Sequence, residues 1–281
     1  MSMAGHLSGV TCFVAAGGSA YFWSARLFAT QAKAMRLLAG LVLWQVIQLL
    51  PVQLLATIQL FGIINRVSLP ALAGLQLVAL AASFAYFVTR PRPHRQDQEL
   101  EVKLSKPLPI YIVLSIAMLM LSYLLFALNQ FTSFPDGSDA LAYHLPLALR
   151  WLQVGSLGIP PSRLWWFSLP GNAEIGMMLL LSTGIESLVV LVNCLAFAIL
   201  ALSTYGLAMW IGRGNRIAAI TVTLITASIP IVEFQAFSAY VDLYGTASIM
   251  AAFALFLNAR SRTSGSPPDG DRSKMPPSRY C

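Results

Sequence analysis

Residues 134–155, FPDGSDALAYHLPLALRWLQVG, decide how the chain is read. They interrupt a succession of apolar runs and hold two of the 11 Asp and Glu residues in the sequence. Wound at about 100° per residue from Asp139, the segment places Tyr143, Pro146, Arg150 and Gln153 within about 40° of that aspartate. Leu141, Leu145, Ala148 and Leu152 fall opposite, and His144 and Trp151 share one flank. The pattern predicts an amphipathic helix with an acid, a phenol and a guanidinium on its wet face. Such a helix either anchors an extramembrane loop or carries a catalytic one, and the segment alone leaves both readings open.

The surroundings settle what kind of solvent the chain meets. Hydrophobic residues make up 57% and charged residues 10%, against roughly 25% charged in soluble domains. Mean hydropathy is +0.70. Several apolar runs reach the ~20 residues that cross a bilayer as helix, and the short alternating strands of a membrane β-barrel are missing. The expectation is an all-α, polytopic transmembrane protein. A net charge of +7 is no nucleic-acid signal here, because Lys and Arg mark the cytoplasmic side of membrane proteins. Cys12, Cys194 and Cys281, like His6, His94 and His144, are too scattered for a disulfide framework or a zinc site. No Lys or Arg precedes Arg26, so a cleavable signal peptide is not expected.

About seven spans are expected: 8–25, 37–63 with Pro51 inside, 69–89, 108–128, 186–210, 217–235 and 241–258. Residues 174–184 read as a short helix at the membrane surface. The polar stretch 90–107, RPRPHRQDQELEVKLSKP, has no apolar period, and the tail after 258 is rich in Ser, Pro, Gly and Arg and reads as disordered. Three regions result: N-terminal spans and a basic loop (1–107), a membrane region (108–258) with an exterior loop (129–173), and a cytoplasmic tail (259–281). With the N-terminus outside, 15 of the 18 Lys and Arg lie inside, leaving Arg66, Arg150 and Arg163 outside. That is a strong positive-inside bias. Asp136, Asp139, Glu174, Glu186, Glu233 and Asp242 all fall at or near the exterior face.

Three exterior segments are tethered to span ends and are expected to converge. They are 136–153, 163–174 (RLWWFSLPGNAE) and 233–242 (EFQAFSAYVD). Trp165 and Trp166 suit a membrane interface whatever the function. Arg163 suits a lipid headgroup or a phosphate equally. Glu186 suits a helix N-terminus, and Asp242, at the start of a span with Gln235, Ser238 and Tyr240 nearby, is either a cap or a functional acid.

The run DALAYHLP at 139–146, followed by WLQVGS at 151–156, resembles the first extracytoplasmic loop of the GT-C-fold membrane glycosyltransferases. More narrowly it is similar to bacterial relatives of protein O-mannosyltransferase and of the lipid A aminoarabinose transferase, in which an Asp in a D-x-x-x-Y setting opens an amphipathic helix after a span. The run from Pro230 to Asp242 resembles the next exterior link of those enzymes, and Pro170–Glu174 resembles their proline-led helix start. The likeness covers roughly residues 108–258. Ala140 stands where many members carry a second acid, three spans precede the loop where one is usual, and the family's later spans are missing before Cys281, so a truncated member is expected.

The resemblance implies an inverting transfer from a lipid-linked sugar donor, a polyprenyl phosphate, to an acceptor of unknown identity at the exterior of the inner (cytoplasmic) membrane. It makes Asp139 the catalytic base, with Asp242 a second catalytic acid. Tyr143, His144, Arg150, Arg163, Glu174, Gln235 and Tyr240 are the expected substrate-binding residues. The resemblance fixes no cofactor and leaves a divalent metal ion open, with Asp136 and Asp139 the candidate pair to hold it. Membrane lipids are the other expected partners. The rival readings are a transporter or channel, with ionisable groups near the bilayer midplane and paired broken helices, and a non-catalytic membrane fragment.

Overall fold

In an apolar medium each segment has to satisfy its own backbone hydrogen bonds, and a helix does so within itself. The computed structural model describes residues 3–28, 32–60, 67–89, 107–132, 137–158 and 171–263. Among them every regular element is helical and none is a strand. The long helices are α1 (Met3–Leu27), α2 (Lys33–Leu60), α3 (Leu69–Thr89), α4 (Ile110–Thr132), α7 (Leu191–Ile211) and α10 (Asp242–Thr263). Shorter ones are α5 (Leu145–Val154), α6 (Asn172–Leu181), α8 (Arg216–Ala227) and α9 (Pro230–Ala236).

Five helices, α2, α3, α4, the segment Glu186–Ile211 that contains α7, and α10, are long and apolar enough to cross a membrane. A sixth crossing results if α8 and α9 form one span, although they meet at 73°. The expectation of an unbroken span over 217–235 is therefore corrected. Pro230 explains the break: its ring excludes helical geometry at the preceding residue, Ile229 is extended, and Pro230 itself starts α9. Pro51, by contrast, sits inside a continuous α2.

Helices α1–α3 form one packed group. Trp44 of α2 meets Phe13 of α1 edge-on at 4.9 Å and donates its indole N–H to the Phe13 carbonyl at 3.1 Å. Trp23 of α1 stacks on Tyr86 of α3 at 4.8 Å. Gly40 lies against Ser24, so the end of α1 faces the start of α2 and the two run antiparallel. A second group forms around α7, the most enclosed of the five, with 50% of its most apolar 18 residues buried against 11% for α4. α10 and α8 pack along α7, and α4 touches this group through Tyr123, which lies 4.6 Å from Phe197 and donates to the Ala227 carbonyl at 2.8 Å. Met35 of α2, set against Gly206 of α7, joins the two groups.

Between the groups lies α6. Its sequence is apolar all round, and a helix of that kind is buried: every residue from Ala173 to Leu181 is covered. The expected short helix is present, and its neighbours enclose it. Gly9 of α1 faces α6 so closely that a Cβ there would stand 2.7 Å from the Leu179 carbonyl oxygen. α10 also differs from expectation, running to Thr263 instead of ending at 258. The basic stretch 90–106 and the tail 264–281 lie outside the described residues.

Candidate functional site

The amphipathic segment begins at Gly137, whose φ of +115° lies in the region that favours glycine. A Cβ there would sit 2.7 Å from the Tyr240 ring, so the same residue permits the turn and the close approach. The chain then makes a π turn, Ala140–His144, with the Leu145 N–H bonded to the Ala140 carbonyl. Pro146 supplies the cause. It has no N–H to give the Ala142 carbonyl, and its ring crowds that oxygen, so the turn widens in the manner of a π bulge. The wider turn shifts the phase of the whole segment. Ala140, His144, Leu147, Ala148 and Trp151 face inward, while Leu141, Pro146, Arg150 and Gln153 are exposed. The expected apolar stripe through Leu141 is corrected: the flank of His144 and Trp151 is the buried centre.

His144, buried by this shift, meets Glu174 of α6. Nδ1 of His144 lies 2.6 Å from Glu174 Oε1, and both side chains are almost wholly enclosed. The start of α6 is pinned by Gln53 of α2, which donates to the Asn172 side chain at 2.8 Å. Trp151, two turns after His144, lies over Gly171 and donates to the Gly158 carbonyl at 3.1 Å. A small apolar depression of about 20 Å³ lies beside it, lined by Val67, Leu72, Leu157 and Met178 among others.

The link between α9 and α10 is held from beneath by Asn193 of α7. This fully buried amide donates to the Ser238 carbonyl at 2.9 Å and to the Tyr240 carbonyl. Above it, Gln235 donates to Asp242 Oδ2 at 3.0 Å. The Tyr240 hydroxyl reaches Ser138 Oγ at 3.5 Å, which ties the link to the amphipathic segment. Glu233 anchors α9 sideways by accepting a bond from Ser122 of α4.

Tyr143 is the meeting point. Its ring lies 4.1 Å from the imidazole of His144, centre to centre. Its phenol is held above the ordinary value of 10.0, first by partial burial and then by the charge of Asp139, the charge of Asp242, a hydrogen bond to Asp139 and the charge of Glu174. Each carboxylate disfavours a phenolate beside it. Asp139 is half-buried and Asp242 exposed, so both reach solvent, whereas Glu174 is sealed. The arrangement offers two accessible proton acceptors, each steadied by a neutral donor, over a neutral phenol.

The structure brings together Asp139, Tyr143, His144, Glu174, Gln235, Tyr240 and Asp242. Arg150 is exposed two turns beyond Tyr143. Asp136 and Arg163, like Trp165, Trp166 and Pro170, lie outside the described residues. Among the described residues no group of three His, Cys, Asp or Glu is arranged to hold a metal ion. Asn193 and Ser122 escaped the sequence reading. An amide within an apolar span is costly enough to signal a role, and that was the available clue to Asn193. No known protein family, curated protein or solved structure matches the chain.

Proposed function

We propose that the chain is a membrane glycosyltransferase that moves a sugar from a polyprenyl-phosphate donor to an acceptor, with Asp139 as general base. The observation that carries this reading is the meeting of Asp139, Glu174 and Asp242, from three separate segments, around the phenol of Tyr143. Asp139 takes the proton of the acceptor hydroxyl as that oxygen attacks the anomeric carbon. Tyr143, hydrogen-bonded to Asp139, orients the carboxylate. Asp242 and Gln235 hold a sugar hydroxyl, and Tyr240 supplies an aromatic wall. The leaving lipid phosphate needs a cation, for which Arg163 or Arg150 stands nearest in sequence. One displacement with no enzyme nucleophile inverts the anomeric centre.

In this reading α1 and the bent pair α8–α9 cross as well, which gives seven spans with the N-terminus and the site on the extracytoplasmic side of the inner membrane. The positive-inside bias supports that orientation. The test is sugar transfer from a polyprenyl-phosphate donor by full-length protein. Asp139→Asn is expected to lower the rate by about 10²–10⁴-fold; an undiminished rate removes the assignment.

A second reading, a transporter, draws on one observation. Gln45, Gln48 and Gln76 are buried within α2 and α3, and each has a side-chain polar atom without a partner. Such groups inside a membrane mark solute paths in other proteins. Solute uptake into liposomes free of lipid-linked sugar would favour it over transfer.

A further inference from the structure

The group around Tyr143 is rich in carboxylates, and this poses a problem for an anionic ligand. Asp139, Asp242 and Glu174 all act on that phenol. Among the described residues, the basic side chain in contact with this group is His144. The other titratable groups of this cluster are acidic or phenolic: Tyr143, whose ring lies 4.1 Å from the imidazole, Glu174 on α6, Asp139 and Asp242, which act on Tyr143, and Tyr244, which feels the charge of Glu174. His6 bonds the Ser182 carbonyl at the far end of α6, and Glu186, exposed on the turn after α6, is similarly remote.

Glu174 is 5% exposed; its Oε1 is 2.6 Å from His144 Nδ1 and its Oε2 is buried with no partner. A buried carboxylate needs a counter-charge or a proton. The pair satisfies that need in either of two forms, imidazolium with carboxylate or imidazole with carboxylic acid. Both forms are neutral overall.

We propose that His144 and Glu174 are a charge-setting pair, in which the imidazole cancels the third carboxylate beside Tyr143 and so lets the site accept a phosphate-bearing ligand. His144 is a positioning residue in this account; it acts through Glu174 on the field at Tyr143. The phosphate as ligand rests on the donor reading above, whereas the cancelled charge does not.

The experiment titrates full-length protein in nanodiscs with three probes: a polyprenyl phosphate, inorganic phosphate and Mn²⁺. It compares wild type, His144→Gln, Glu174→Gln and the double variant. Removing one unit charge about 10 Å from a ligand, at an effective dielectric of ~20, changes an affinity about tenfold. The titration is run from about pH 6 to about pH 9, because a buried Glu174 left without its partner takes a proton at the lower end. His144→Gln is therefore expected to match wild type there and, as pH rises and Glu174 ionises, to weaken polyprenyl-phosphate binding by up to about tenfold and to strengthen Mn²⁺ binding. Glu174→Gln is expected to leave phosphate binding equal or tighter, and the double variant to return near wild type for both probes. A purely structural pair gives a different order, with both single variants weakened for every probe and the double no better; that order overturns the proposal. The same ranking with inorganic phosphate assigns recognition to the phosphate alone, and a ranking confined to the lipid assigns it to the membrane-borne form. If polyprenyl phosphate binds none of the proteins while Mn²⁺ still rises in His144→Gln and returns in the double variant, the charge pair stands and the donor reading fails. Flat Mn²⁺ binding across all four overturns the pair. Should His144→Gln not fold, Glu174→Gln decides alone: phosphate affinity that holds or rises supports the pair, and a fall refutes it.

Discussion

The group α1–α3 and the polar end around Tyr143 are built by different forces. In the first, contacts are broad and apolar. Phe22 meets Phe84 at 5.4 Å, Trp23 stacks on Tyr86, and Gly17 leaves room for Trp44. In the second, single polar atoms bind residues remote in sequence: His144 to Glu174 across 30 positions, Asn193 to Tyr240 across 47, and Ser122 to Glu233 across 111. Apolar packing spreads its energy over many weak contacts. A buried polar clamp concentrates it, because the partner left behind becomes an unsatisfied group. Damage to the first region should therefore cost stability alone, and damage to the second should cost stability and site geometry together.

The largest stability effect is expected in α1–α3. Trp44→Ala removes the ring that fills the space between Phe13 and Gly17, together with its bond to the Phe13 carbonyl. Losses for such truncations are about 3 kcal/mol. Thermal unfolding in detergent should show a clear fall in midpoint, while polyprenyl-phosphate affinity well below that midpoint stays at the wild-type value. A loss of affinity at low temperature would erase the distinction between the two regions.

Asn193→Ala tests the opposite side. Two carbonyls, those of Ser238 and Tyr240, lose the amide that holds them. Each unsatisfied buried group costs about 1–3 kcal/mol at most, and membrane helices often relax to recover part of it, so a net loss of about 2 kcal/mol is expected. The informative part is the pairing of effects. The link carrying Tyr240 and Asp242 should loosen, and ligand affinity should fall along with the midpoint. An affinity unchanged by Asn193→Ala would show that α10, through its packing on α7, places Asp242 without help from the amide.

The two regions also differ in how far they can be read from residue order. Long apolar runs gave α2, α3, α4, α7 and α10 to within a few residues, because crossing a membrane demands both length and composition. The polar segments were recognisable as a group for a related reason: acids are scarce in this chain and stand out where they fall between apolar runs. Their pairing was hidden. Winding 139–153 as an ideal helix put His144 on a flank, and only the π turn forced by Pro146 carries it inward to Glu174. The bend at Pro230 was missed because an apolar run of span length was read without weighing the proline. The enclosure of α6 was hidden for want of tertiary information, since a ten-residue apolar helix can lie open at an interface or packed between other helices, and only its neighbours decide.

The smallest effect, and the finest test of the polar end, concerns Tyr143. Burial and the nearby carboxylates hold its phenol above 10.0 in the folded chain. The folded state therefore keeps this proton at a pH where the unfolded state releases it. A raised value contributes stability that is fully present below pH ~10 and is lost as pH rises through the folded value. Between those limits, wild-type protein should lose stability with increasing pH slightly faster than Tyr143→Phe, which has no proton to lose there. Because the phenol is only partly buried, screening keeps the difference small, and it is read from the slope of unfolding midpoint against pH, not from a single value. Asp139→Asn and Asp242→Asn should each reduce the slope difference, with Asp139 the larger, since it contributes both charge and a hydrogen bond. Equal slopes for wild type and Tyr143→Phe would mean that the carboxylates do not act on one phenol, and the polar end would then be three separate clamps instead of one site.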